Sequence, residues 1–257
     1  MPPPIMQGAE PFAHVGGPGG ALVLHGFTGN PQSMRPLAEA LAAAGFTVDL
    51  PLLPGHGTDP SDLVDKTWAD WSTAAEKALV DLQSRCDQVV VTGLSAGGSL
   101  TCWLAENHPE IKGIAVVNPM IDPPAESFRQ VIKGLVDTGE EFVPGIGSDI
   151  AKPGETELAY PGTPLRAALS LFSGVDGIAA NLDKITCPVL ILTSRQDHVV
   201  PPESSDLLAG SVSGPVDRVM LEKSYHVATL DYDAEEVTDR IVQFALEHVG
   251  SMEPNSP

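Results

Sequence analysis

Gly93-Leu94-Ser95-Ala96-Gly97 follows a β-branched run, Val89-Val90-Val91-Thr92, and precedes a stretch with helical spacing. A serine flanked at two residues' distance by glycines can sit on a sharp strand-to-helix turn, with its hydroxyl lifted above a sheet. In a chain with 25 glycines the five-residue pattern is weak by itself. The strand before it and the helix after it make it specific. A serine hydroxyl attacks poorly until a histidine takes its proton and an acid fixes the histidine's tautomer. Of seven histidines, His108 and His248 lie at helix ends, where a cation suits the dipole. His14 belongs to the Pro-rich lead, and His25 and His56 to turns. His226 follows the last predicted strand, where the chain order Ser, acid, His puts the base. Asp197 stands just past the run Val189–Thr193, at the carboxyl edge where ligands and catalytic groups of open α/β sheets gather. Asp122, beyond Val117, is the runner-up. Attack on a carbonyl also develops an oxyanion, which needs donors. The N–H of Ala96 is one candidate, and the N–H of Phe27, in the turn His25-Gly26-Phe27-Thr28-Gly29, is the other.

These groups need a frame, and the hydrophobic pattern supplies it. Short apolar runs at Ala21–His25, Phe46–Leu50, Gln88–Thr92 and Gly113–Val117 read as buried strands. Helical spacing fills the intervals over Met34–Ala44, Thr67–Arg85 and Ser95–Asn107. Strands alternating with helices predict a mostly parallel sheet covered on both faces. From Asn118 to about Gly174 the rhythm breaks into helical pieces (Ser127–Val136, Thr163–Phe172) separated by Pro-Gly turns. The apolar residues here, among them Met120, Phe128, Val131 and Ile146, exceed what a solvated loop carries. They mark residues 118–174 as an inserted cap within a single domain of residues 1–257. The sheet resumes with Val189–Thr193 and Arg218–Leu221, with helices at Pro202–Ala209 and Ala234–Val249. Asp233 with Glu236 reads as a capping box for the last helix, Thr67 and Asp70 cap an earlier one, and the tail Ser251–Pro257 is expected to fray. Pro54-Gly55-His56-Gly57 reads as structural, with His56 bonding locally, and Trp68 and Trp71 as core.

The chain carries 14 Lys plus Arg against 34 Asp plus Glu, a formal charge of −20. That excludes a nucleic-acid binder, which needs clustered cations, and disfavours anionic membrane surfaces. A hydrophobic content of 42% with 19% charged residues gives a sizeable core. Cys86, Cys102 and Cys187 are odd in number and far apart, so neither a disulfide framework nor a metal site is expected. The start, MPPPIMQGAEPFAH, lacks a basic region followed by an apolar one, and no apolar run approaches membrane-spanning length. The expectation is a cytoplasmic protein without stable membrane insertion, and the oligomeric state is open.

Taken together, His25–Gly29, Leu53-Pro54-Gly55-His56-Gly57, Gly93–Gly98, Ser194-Arg195-Gln196-Asp197-His198-Val199-Val200-Pro201 and Ser224-Tyr225-His226-Val227 resemble the α/β-hydrolase superfamily. Within it they resemble the bacterial carboxylesterase and monoacylglycerol lipase group, from about Ala21 to His248. The likeness implies an α/β-hydrolase fold and a catalytic triad of Ser95, Asp197 and His226, with Phe27 and Ala96 as oxyanion donors. It also implies a small cap and no cofactor or metal. Ala96 stands where many relatives carry Met, which leaves the backbone donor in place. The implied substrate is a small ester with an acyl chain, a monoacylglycerol or a short-to-medium-chain ester. Met120 and Ile146 would wall the acyl site, and Glu157 would meet a glycerol hydroxyl. A thioesterase, a serine peptidase or a ligand-binding receptor on the same scaffold are the other readings.

Overall fold

The computed structural model describes residues 3–250, so the expected fraying of Ser251–Pro257 lies outside the described residues. Nine strands and seven α-helices make up this part of the chain. The central sheet contains β1 (Phe12–His14), β2 (Gly19–Leu24), β3 (Thr47–Leu50), β4 (Gln88–Leu94), β5 (Gly113–Val117), β8 (Val189–Ser194) and β9 (Val216–Leu221). Its spatial order is β1-β3-β2-β4-β5-β8-β9. Only β1 runs antiparallel, pairing Phe12 with Leu50 and His14 with Val48. The other neighbours are parallel.

Successive side chains of a strand point to opposite faces, and both faces here are apolar. Leu22, Leu24, Val89, Val91, Ile114, Val116, Val189 and Ile191 pack under α2 (Trp68–Gln83), α3 (Ala96–Asn107) and α5 (Leu165–Ala179). Leu208 of α6 (Glu203–Ser211) joins the same core. Ala21, Val23, Val90, Ala115, Val117, Leu190 and Leu192 pack against α1 (Arg35–Ala43) and α7 (Ala234–Val249). Continuous apolar runs are what a two-sided parallel sheet demands, and they bring the carboxyl ends of β2, β4, β5, β8 and β9 to one edge.

Between β5 and β8 the chain leaves the sheet through α4 (Glu126–Asp137), the two-stranded ribbon β6 (Phe142–Pro144) and β7 (Gly162–Pro164), and α5. The ribbon was not expected, and the helix placed over 163–172 begins only at Leu165 and continues to Ala179. Thr163 and Pro164 pair with Val143 and Phe142 instead. β1 was missed too, because its Phe-Ala-His sequence carries only three residues of pattern. The Thr67 and Asp70 pair forms as read: the Asp70 carboxylate accepts the Thr67 N–H at 2.8 Å and its hydroxyl at 2.7 Å. The Asp233–Glu236 capping box does not form. The Asp233 side chain makes no cap bond to α7. It turns back to accept the N–H groups of Lys223 and Ser224, both at 2.9 Å, while its own N–H donates to Ser224 Oγ. Those loop amides have no strand partner, and a carboxylate satisfies two of them at once.

Among the described residues, no helix is long and apolar enough to cross a membrane.

Candidate active site

The turn that carries Ser95 is forced by close approach. A Cβ on Gly93 would lie 2.2 Å from the Gly97 carbonyl oxygen, and one on Gly97 would lie 2.3 Å from Leu24 O and 2.6 Å from His25 O. Only glycine lets β4 reverse into α3 while touching the end of β2. Ser95 itself sits at φ 56°, ψ −120°, a conformation that costs a non-glycine residue roughly 1–3 kcal/mol. Its N–H donates to Val117 O at 3.0 Å and its C=O accepts from Ser99 and Met120, which hold the strain in place. The positive-φ residues other than glycine among the described ones are Thr28, Ser95 and Asn118, and all three belong to this site.

His226 and Asp197 meet across the sheet edge, with His226 Nδ1 2.7 Å from Asp197 Oδ2. Both side chains are almost wholly buried. The other Asp197 oxygen accepts the N–H groups of Val199 and Val200, both at 2.8 Å. The carboxylate therefore closes its own turn while it orients the imidazole. Asp122 is exposed and its backbone N–H bonds Ser204 Oγ, so it takes no part. Ser95 and His226 line one cavity of about 350 Å³, within the ordinary range of small-molecule sites.

That cavity also draws in Phe27, Met120, Ile146 and Glu157, with Phe128, Ile132, Leu171 and Phe172 among its apolar walls. Ala96 is buried immediately behind it, at the first position of α3. There its N–H has no intrahelical acceptor. Burial pushes the Glu157 carboxyl up, against the opposing pull of His226 and of Ser33. The carboxyl lies against Gly29, where a Cβ would come within 2.7 Å of Oε1. The Phe27 turn rests on a packed aromatic group. Its ring lies 5.5 Å from Trp71 and 6.1 Å from His56, and His56 lies 5.0 Å from His25.

Both turn histidines are structural. His25 Nε2 accepts the Leu53 N–H at 3.1 Å, and its Nδ1 faces Gly26 O. His56 Nδ1 bonds Pro54 O, as the local reading of that turn required. Burial lowers His25 to about 4; burial, aided by His25, lowers His56 to about 3. His108 faces Glu76 and Glu110 on the surface.

Several residues that hold the site fall outside every motif in the sequence. Asn118, at the end of β5, donates to His226 O at 2.7 Å and to Ser194 Oγ at 3.0 Å, and accepts the Ser194 N–H at 2.7 Å. Ser194 Oγ in turn donates to Tyr225 O. Buried Asp231 accepts the backbone N–H groups of Ala151, Lys152, Tyr225 and Tyr232 at 2.7 to 2.9 Å. For Asn118 alone a signal existed: a polar residue directly after a buried strand. No group of three or more His, Cys, Asp or Glu side chains suited to a metal occurs among the described residues.

A parallel sheet with a serine elbow, a buried His–Asp pair and an apolar cavity at one edge defines a class, and the comparison with known families agrees. The chain belongs to the alpha/beta hydrolase family, which it matches over residues 21–240. It is 45% identical over 250 residues to a thermostable monoacylglycerol lipase of Bacillus sp. (strain H-257), covering 96% of this chain and 98% of that protein. It is 29% identical over 238 residues to a carboxylesterase of Bacillus subtilis (strain 168), covering 91% and 95%. A solved structure from work on LipS and LipT, two metagenome-derived lipolytic enzymes, superposes with a TM-score of 0.91 at 42% identity, covering 95% of this chain and all of that one.

Proposed function

We propose that the protein is a serine hydrolase of carboxylic esters, with monoacylglycerols as its preferred substrates. The observation that carries the reading is the 2.7 Å contact of His226 with Asp197 beside Ser95 in one apolar cavity. In this mechanism Ser95 Oγ attacks the ester carbonyl while His226 takes its proton and Asp197 holds the imidazole. The Phe27 and Ala96 amides receive the developing oxyanion. His226 then protonates the leaving alcohol, and water releases the acyl group by the same route. Glu157 is the polar contact for the glycerol moiety, and Met120 and Ile146 line the path of the acyl chain. Their shared cavity supports these roles, as does the likeness to a monoacylglycerol lipase.

Residues 118–174 act as a cap inside one hydrolase domain. Their contribution of Met120, Phe128, Ile132, Val143, Ile146 and Glu157 to the cavity supports this. The free thiols of Cys86, Cys102 and Cys187 support a reducing, cytoplasmic setting.

The test is a panel of p-nitrophenyl esters of two to sixteen carbons beside mono-, di- and triacylglycerols, with wild type and Ser95→Ala. We expect preference for monoacylglycerols, a rate fall of about 10³-fold or more in Ser95→Ala, and loss of labelling by a phosphonate. Full activity of Ser95→Ala overturns the mechanism. Preference for the shortest esters overturns the substrate.

A further inference from the structure

Asp149 lies in the inserted segment, between β6 and β7, far in sequence from every motif. Its carboxylate nevertheless reaches both loops that carry the acid and the base. Asp149 Oδ2 accepts the backbone N–H of His226 at 3.0 Å and that of His198, the residue after Asp197, at 3.2 Å. Its main-chain carbonyl accepts the Val227 N–H at 3.1 Å. Its other oxygen lies 2.9 Å from His198 Nδ1, a ring that stacks edge-on against Tyr225 with centroids 4.4 Å apart. Only 13% of the Asp149 side chain is exposed, and it also lines the cavity.

We propose that Asp149 is a positioning residue for the Asp197–His226 pair, supplied by the inserted segment. The proposal rests on the triad reading given above. His226 is held at both its backbone polar groups by side chains: Asn118 donates to its C=O from the sheet side, and Asp149 accepts its N–H from the insert side. The sheet fixes one grip, because Asn118 follows β5 directly. The other grip depends on where the insert sits. Asp231 anchors that position, since it accepts the N–H groups of Ala151 and Lys152 from the insert and of Tyr225 from the base loop. The insert is therefore part of the frame that sets the base, as well as a wall over the substrate. Ile146 and Gly147, three and two residues before Asp149, line the cavity, so the substrate-facing wall and the brace on His226 are one short piece of chain.

A neutral, shorter side chain leaves the His226 and His198 amides without their acceptor inside a crowded site, which frees the imidazole to drift. Misplacement of a catalytic group by about 1 Å costs about 10²-fold in rate. Three variants separate positioning from packing: Asp149→Ala, which removes the acceptor; Asp149→Asn, which keeps an oxygen at the same reach; and Asp149→Glu, which keeps the charge but moves the acceptor by one methylene. For a p-nitrophenyl ester we expect kcat to fall about 10- to 100-fold in Asp149→Ala with KM within about threefold. Asp149→Asn should recover most of that loss, and Asp149→Glu should not. The downfield proton resonance of a His Nδ1–H bonded to carboxylate should weaken or shift in Asp149→Ala and return in Asp149→Asn. Should Asp149→Ala not fold, the contrast of Asn with Glu carries the same test. Wild-type kcat in Asp149→Ala, or in Asp149→Glu where the Ala variant does not fold, overturns the proposal, as does a defect confined to KM with the resonance unchanged. Ser95→Ala is measured alongside. If it is inactive while Asp149→Ala is normal, the positioning claim fails and the triad stands; if Ser95→Ala is active, the triad reading itself fails.

Discussion

Gly97→Ala adds one methyl group at the point where α3 touches the end of β2. The added carbon would lie 2.3 Å from Leu24 O, whereas ordinary contact begins at 3.4 Å. Both neighbours are backbone, so no side chain can swing away, and the two segments must part by about 1 Å, at a cost in stability of about 1–3 kcal/mol. The same separation moves the proposed oxyanion turn away from Ser95, because Phe27 follows Leu24 by three residues and His25 by two. A displacement of that size lowers kcat by about 10²-fold. Steady-state rates on a p-nitrophenyl ester measure the second effect, and thermal melts measure the first as a fall of several degrees. Gly177→Ala is the matched control on α5: its Cβ meets nothing within 4 Å, and it should gain up to about 1 kcal/mol from helix propensity with kcat unchanged. A Gly97→Ala enzyme with kcat within twofold of wild type would refute the claim that this contact sets the oxyanion turn.

Acid should unfold the protein through His25 and His56. Their folded values of about 4 and 3 lie below the ordinary 6.5, so the unfolded chain takes up protons that the folded one refuses. Stability is whole above pH 6.5 and declines as pH falls, by about 4 kcal/mol at pH 5 for the two together. Urea midpoints at pH 7.5 and pH 5 read this out in a Glu106→Gln background, which removes a carboxyl of opposite slope, and His56→Asn should roughly halve the difference there; an unchanged difference would exclude His56 as the source. Glu106 gives the opposite slope. Burial raises it to about 8, with Lys184 partly opposing, and its Oε1 has no hydrogen-bond partner. Stability tied to its proton is present below about pH 4.5 and lost as pH climbs through 8. Discounted for partial exposure, Glu106→Gln should gain about 2 kcal/mol over wild type at pH 8.5 and nothing at pH 4.5. Equal gains at both pH values would mean that packing, and not ionisation, carries the effect.

What the sequence made legible was local. The serine elbow, the Phe27 turn and the aspartate after β8 each occupy a few residues beside a strand, and their spacing reflects a turn that the chain must make there. The alternation of apolar runs with helical spacing gave the parallel sheet for the same reason. The roles of the braces are not legible because their partners are remote, even where Asn118 stands out as a polar residue directly after a buried strand. Asn118 lies 108 residues from His226, and Asp149 lies 77 from it. An aspartate in a Pro- and Gly-rich insert looks like any solvated acid. Asp233 shows the same limit from the other side: a residue well placed to cap α7 is recruited by the amides of Lys223 and Ser224, a need that only the folded loop creates. Met120 and Ile146 stand out through the apolar excess of their segment and Glu157 only as an acid within it, and all three line the cavity that contains Ser95.

The carboxylates of Asp149, Asp197, Asp231 and Asp233 act as interior clasps for backbone that has no strand or helix to join. The net charge of −20 therefore overstates how much acidity is free to be redesigned. An engineer who wished to recharge the surface for work at anionic lipid interfaces would draw on exposed acids such as Glu140, Glu141 and Glu235. Lysine at any of the four clasps would unfasten the loops that carry the chemistry before the surface potential had changed appreciably.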